Sequence, residues 1–338
     1  MTARGAASPG NRLTMAENNS ALIDQLVVVV GGSGFVGRYL VQELVRTGAR
    51  VRVVVRAPEN ANFLRPLGGL GQIEIVAGDV TNAASIAAAF IHADAGVNLV
   101  GILDERSGQK FARVQAEGAA TVARAAAAAG VTAFVQVSAI GADAASKAEY
   151  ASTKAAGETA VSAALPHATI VRPSIVFGPE DQFINRFAAM ASGPLPVVPV
   201  VAGDTRFQPV FVLDVAKAIV AALADPAAYG GKTFELGGPK VYAFRDIIAW
   251  IMREIRSTKS MIEVPPFAAR LMGRAGDIVP LVPMTSGQVE MLQSDNVAKA
   301  PGLAAFGIAA TPLEAVAPAY LERYRTAGRF HRDAETPA

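Results

Sequence analysis

Tyr150 and Lys154, in EYASTKAAGE, are four residues apart and therefore share one face of a helix. An ammonium beside a phenol favours the phenolate, so such a Tyr can pass a proton at neutral pH while a nicotinamide passes hydride. Alone, the pair reads equally as a Tyr packed beside a solvated Lys. A second group of residues shifts the balance toward chemistry. Gly31, Gly32, Gly34 and Gly37, in GGSGFVG, parse as G-x-G-x-x-G from Gly32 or as G-x-x-G-x-x-G from Gly31. In either parse, glycines permit positive φ in a tight turn and let the N–H groups at a helix start approach a pyrophosphate. Arg56 follows the next apolar run, and the first acid after it is Glu59. A cation there suits the 2′-phosphate of NADP, whereas an NAD site carries an acid for the ribose hydroxyls; the alternative for Arg56 is a solvated strand end. Asp79, in QIEIVAGDV, either accepts from an adenine amino group or caps the helix beginning near Thr81 and Asn82.

The elements that must position these residues alternate along the chain. Val27 to Val30 form a buried strand, too short for a membrane span, and lead through the glycines into the helical pattern Tyr39, Leu40, Val41, Leu44, Val45. Strands are predicted at 51–56, 72–80, 95–103 and 132–143 and from Ile170 to Val176, with Ala-rich helices at 83–90 and 112–129. The ends of two of these strands, Asn98 to Gly101 and Pro173 to Val176, are placed beside the cofactor. The pattern specifies an α/β fold, a Rossmann-type doubly wound parallel sheet with its ligand at the strands' C-terminal ends. Residues 21–180 are assigned to this NAD(P)-binding domain, its sheet completed by part of 205–236. Residues 181–325 are assigned to a smaller mixed lobe, in which PLPVVPVV (194–201) is broken by prolines, 205–219 is strand-like and then helical, and 243–255 is a helix. The tails 1–20 and 326–338 read as disordered.

At 338 residues, 51% hydrophobic and with a net charge of +2, the chain carries no basic block that would suit nucleic acid. With no cysteine, disulfides and thiolate metal sites are excluded. His92, His167 and His331 lack metal-ligand spacing, so no metal site is expected. Residues 1–20 have no apolar core of a secretory signal, and no run of about 18 apolar residues exists to span a membrane.

With GGSGFVG, the GDV of Gly78 to Val80, Tyr150 and Lys154, RPSIVFGPED and QPVFVLDVAKAI in hand, the chain resembles the extended short-chain dehydrogenase/reductase superfamily from about Leu26 to Leu236. A narrower likeness, to the nucleotide-binding accessory subunit family of respiratory complex I and its bacterial relatives, rests on three stretches. They are FVQVSAIGADAASKAEYASTKAAGE (134–158), SGQVEMLQSDNV (286–297) and FGIAATPLEAVAPAYLERYR (306–325). The resemblance implies firmly bound NADPH and a peripheral place at the junction of the hydrophilic and membrane arms, near the ubiquinone site, on the cytoplasmic face of the inner membrane in a bacterium or the matrix face in a mitochondrion; outside such an assembly the chain is expected to be cytoplasmic. It also implies that the subunit performs no hydride transfer in respiration. Cofactor contacts fall to Gly31, Ser33, Gly34, Phe35, Val36, Gly37, Arg56, Asp79, Val80, Leu99, Val100, Gly101, Ser138, Pro173 and Ile175, with Tyr150 and Lys154 holding the nicotinamide ribose; Ser138, Tyr150 and Lys154 are also the catalytic set of the superfamily, here vestigial if no substrate enters. One departure argues against catalysis: active relatives carry adjacent serines at the end of strand five, and here Ser138 is followed by Ala139. One lost donor to a reacting carbonyl costs about 100-fold in rate. The alternative is an NADPH-dependent reductase, dehydrogenase or epimerase acting on a hydroxyl or carbonyl of an apolar substrate.

Residues 261–285 hold an amphipathic segment in which Phe267, Leu271, Met272 and Ala275 share a helical face beside Arg270 and Arg274. It is expected either to lie at a lipid surface or membrane subunit, or to cover the small lobe's own core.

Overall fold

The computed structural model describes residues 21–105, 109–278, 284–299 and 302–325; the expected tails, and 279–283 within the amphipathic segment, lie outside them. The first half alternates strand and helix: β1 Leu26–Val30, α1 Phe35–Arg46, β2 Arg50–Val55, β3 Ile73–Ala77, α2 Ala83–Ala89, β4 Ala95–Asn98, α3 Gly118–Ala128, β5 Ala133–Val137, α4 Glu149–Ala164 and β6 Thr169–Pro173. Then come β7 Val176–Phe177, α5 Ile184–Ser192, β8 Val197–Val201, β9 Arg206–Phe207, β10 Val210–Phe211, α6 Val212–Ala224, β11 Thr233–Leu236, β12 Tyr242–Ala243, α7 Phe244–Glu254, β13 Ser260–Val264, α8 Pro266–Ile278 and, near the end, α9 Leu313–Leu321.

Seven strands form one sheet in the order β11-β6-β5-β4-β1-β2-β3, with every pairing parallel. Both faces are covered, which explains the unbroken valines of β1. Val27 and Val29 pack with Leu40, Leu44, Val215 and Ile219 on one face, and Val28 and Val30 pack with Ile86, Phe90 and Val122 on the other. The chain leaves β1 for β2 and β3 on one side and returns to β4, β5 and β6 on the other. That reversal opens a crevice past the C-terminal ends of β1 and β4, where ligands of such sheets bind.

The second core belongs to the smaller lobe, where Phe187, Phe207 and Phe244 pack with Ile247, Ile251 and Leu321. Three local expectations are corrected. The fourth strand ends at Asn98 rather than 103, and the helix expected at 112–129 opens with a π-helical segment, Ala112–Glu117. The VVPVV of PLPVVPVV is strand β8, which pairs in parallel with β13, so the first residues of the amphipathic segment are strand and only the next ones helix.

Candidate functional site

The glycine loop uses each glycine differently. Gly31 takes φ +84° and donates its N–H to the Val54 carbonyl at 2.9 Å, turning the chain out of the sheet at a conformation that costs a side-chain-bearing residue. Gly34 is the exposed residue just before α1, leaving the helix's first N–H groups without a side-chain cap. At Gly37 a Cβ would stand 2.5 Å from the Gly32 carbonyl oxygen, so glycine is what lets α1 close on the turn.

A cavity of about 270 Å³ opens over this loop. Gly31, Ser33, Gly34, Arg56, Asp79, Val80, Leu99, Val100 and Gly101, all expected site residues, line it. It also takes in Gly78, the first residue of the GDV motif, and Ile102, Gln109 and Val114, which no motif announced. Strand-end hydrogen bonds draw these walls together, Gly78 N–H to the Val55 carbonyl at 2.9 Å and Leu99 N–H to the Val30 carbonyl at 3.0 Å. Asn82, not Asp79, caps α2, accepting from the Ser85 N–H at 3.2 Å. Asp79 instead accepts from the Thr81 N–H and hydroxyl at 2.8 and 2.7 Å through Oδ1 alone. Burial pushes the Asp79 carboxyl up, but the Thr81 donors and the charges of Arg56 and Arg113 outweigh it and hold the group below the usual carboxylate range.

Phe35, Val36, Gly37, Ser138, Tyr150, Lys154, Pro173 and Ile175 are not among the residues lining this cavity. Lys154 reaches it indirectly: its Nζ would lie 2.8 Å from a Cβ on Gly101. Helix α4 comes this close because Gly157 admits the Gln115 carbonyl, which would stand 2.3 Å from a Cβ there. The Lys154 ammonium is 6.0 Å from the centre of the Tyr150 ring, and Phe111 packs edge-on against that ring at 5.9 Å. The phenolate-favouring effect expected of Lys154 is not expressed. Burial pushes the Tyr150 phenol up to about 12 and Lys154 down to about 8, although Glu158 opposes the latter.

Ser138 is 5% exposed and its hydroxyl has no hydrogen-bond partner among the described residues. A buried hydroxyl left unpaired is costly, and a ligand's polar group can satisfy it. With the cradle that a side chain at Gly31 would crowd, 3.1 Å from Val100 Cγ2, this orphan fits a dinucleotide spanning from Arg56 toward Tyr150.

The strand-six end is held by the C-terminal part of the chain. Asn296 accepts from the Ser174 hydroxyl at 2.6 Å and the Ile175 N–H at 3.1 Å, and its own N–H₂ donates to the Ile140 carbonyl at 3.4 Å. Asp214 on α6 accepts from the Thr311 N–H at 2.7 Å. Both stretches that carry the narrower resemblance, 286–297 and 306–325, are therefore built into the walls of the dinucleotide fold. Among the described residues no group of acids and histidines could hold a metal ion.

Residues 27–237 match the NAD dependent epimerase/dehydratase family. A fold match is the dTDP-glucose 4,6-dehydratase of Streptomyces venezuelae, solved with NAD, at TM-score 0.61 and 21% identity over 71% of this chain and 85% of that one. Among curated proteins, the mitochondrial NADH dehydrogenase (ubiquinone) 1 alpha subcomplex subunit 9 of Arabidopsis thaliana is 37% identical over 80% of this chain and 69% of its own. The mouse protein of the same name is 34% identical over 91% and 82%. A ceramide reductase of Caulobacter vibrioides is 36% identical over 60% of this chain and 62% of its own length. The chain belongs to the NAD dependent epimerase/dehydratase family and, within it, to the group of complex I subunit 9 proteins.

Proposed function

We propose that this chain is an NADPH-binding accessory subunit of respiratory complex I that stabilises the assembly at the junction of its hydrophilic and membrane arms and has no hydride transfer of its own. The observation that carries the cofactor part is the cavity over the glycine loop, in which Arg56, a cation with no ion-pair partner among the described residues, stands where an NAD site would carry an acid. The likeness to complex I subunits over most of their length supports the assembly part.

A bound nicotinamide nucleotide would supply hydride chemistry. In this reading the chain's residues are spent on retaining it: N–H groups at the start of α1 for the pyrophosphate, Arg56 for the 2′-phosphate, and Ser138, Tyr150 and Lys154 for the nicotinamide ribose. Ala139, following Ser138, leaves no hydroxyl at that position for a substrate carbonyl. Contact with the membrane arm falls to the segment after β13, where Phe267 and Leu271 are 71% and 69% exposed on α8 beside exposed Arg270 and Arg274. No helix among the described residues is long and apolar enough to cross a membrane.

The unpartnered Ser138 hydroxyl beside an intact Tyr150 and Lys154 favours one other reading, a reductase of an apolar carbonyl substrate, and the Caulobacter relative supports it. Purification from native membranes separates the two. Co-migration with complex I subunits and retained NADPH are expected, whereas a free protein that consumes NADPH with a ketone-bearing lipid would overturn the accessory role.

A further inference from the structure

Arg113 lies on the π-helical segment that begins the third crossover helix, a position no nucleotide-binding motif marks. Next to it, Val114 lines the cavity over the glycine loop. The Gly118 N–H donates to the Arg113 carbonyl, and Gly118 packs so close to Val80 that a Cβ would come within 2.8 Å of Val80 Cγ2. The π turn therefore holds the segment that carries Arg113 against Val80, on a different wall from Arg56 at the end of β2; Arg113 itself is exposed and lies outside the cavity lining, at its rim beside Val114. Both guanidiniums act on the Asp79 carboxylate. Most arginines around the sheet are committed elsewhere: Arg52 to Glu74 at 2.6 Å, Arg172 to Glu158 at 2.6 Å, Arg38 to Glu180 at 3.4 Å. Arg56 and Arg113 make no salt bridge or side-chain hydrogen bond among the described residues, so the donors of both guanidiniums are uncommitted to another side chain.

We infer that Arg113 is a second reader of the nucleotide's 2′-phosphate, closing on it from the π-helical wall while Arg56 approaches from the strand end. The inference rests on the NADPH reading above and adds to it a residue that sets selectivity. A phosphate monoester near neutral pH carries close to two negative charges and three acceptor oxygens, enough for two planar guanidiniums to donate to it at once. A 2′-hydroxyl gives a guanidinium no charge to pair with. Arg113 should therefore discriminate between nucleotides and contribute little to the shared pyrophosphate or nicotinamide.

The test is titration calorimetry of the full chain with NADPH, NADH, 2′,5′-ADP and 5′-AMP, for wild type, Arg113→Ala, Arg113→Lys and Arg56→Ala. Arg113→Ala is expected to weaken NADPH and 2′,5′-ADP about tenfold and to leave NADH and 5′-AMP within about twofold, with Arg113→Lys between it and wild type. Arg113 is exposed, so folding is not at stake. If Arg56→Ala is selective for the phosphorylated ligands and Arg113→Ala is not, or if Arg113→Ala weakens all four alike, this inference falls and the NADPH reading stands. If wild type does not prefer the phosphorylated ligands, both fall together.

Discussion

Lys154 Nζ lies against the backbone of Gly101, so close that a methyl group there would stand 2.8 Å from it. The two residues come from different crossovers, α4 and the end of β4, and their approach joins the cavity over the glycine loop to the Tyr150 end of the crevice. Gly101→Ala must push the ammonium aside, and because the displaced atom ends a flexible side chain the fold should tolerate it. The expected outcome is a loss of affinity for NADH and NADPH alike, about tenfold, with the ligand-free melting temperature unchanged within about 2 °C; titration calorimetry and thermal melting check it.

At Gly37 the obstacle is backbone. Gly37→Ala sets a Cβ 2.5 Å from the Gly32 carbonyl oxygen, which cannot rotate away, so α1 must shift from the turn. A loss of about 1–3 kcal/mol in urea unfolding is expected, together with loss of nucleotide binding.

Arg56→Asp replaces a charge-assisted phosphate contact by a repulsive carboxylate. NADPH affinity should drop at least 100-fold and NADH affinity by much less, read by competitive fluorescence titration. Equal losses would mean that Arg56 does not read the phosphate.

Buried Lys154 makes stability depend on pH with a definite sign. Its amine titrates near 8 in the folded chain, mainly because burial disfavours the charge, against 10.5 in the open chain. Between those values the unfolded state binds more protons, so this group's contribution rises with pH by up to roughly 1.4 kcal/mol per unit. Tyr150, raised from 10.0 to about 12, works in the opposite direction above pH 10, so the clean window is pH 8 to 10. Lys154→Met should be more stable than wild type at pH 7.5 and lose most of that advantage by pH 10, measured by urea unfolding at fixed ionic strength.

Phe267 and Leu271 stand out from α8 while Ala269 on the same helix is buried, so the helix covers its lobe with one face and presents apolar groups on another. Phe267→Glu with Leu271→Glu is expected to release the protein from native membranes in moderate salt, at unchanged melting temperature and NADPH affinity. Retention would place the membrane-arm contact elsewhere.

The fold's first half was legible because each crossover carries its own signal: β1 through its valines, the turn through Gly31 and Gly37, the cofactor crevice through residues at strand ends. Arg56 and Asp79 were found that way, although the choice for Asp79 between adenine and helix cap missed Asn82, one turn on, as the capping residue. What stayed hidden depends on partners far along the chain. Pro199 made β8 read as broken, yet among the described residues β8 has one pairing partner, β13 some sixty residues on, and a strand so placed can spare an N–H. Likewise nothing in ARVQAE marks a π turn, which arises where α4 crowds the segment through Gly157, and so Gln109, Val114 and Arg113 went unnoticed. Asn296 belonged to a stretch singled out only by resemblance, and its hold on Ser174 and Ile175 explains physically why that stretch accompanies this site.

Retention of a phosphorylated dinucleotide is the central claim, and thermal melting of the purified full chain with added nucleotide tests it most directly. At a hundredfold excess over Kd, binding to the native state alone adds about 2.7 kcal/mol, which for a chain of this size raises Tm by roughly 4 °C. The account predicts that shift with NADPH, a distinctly smaller one with NADH at the same concentration, and NADPH released when protein isolated from its own cells is denatured. A melting temperature indifferent to NADPH, in protein that releases no nucleotide on denaturation, would contradict it.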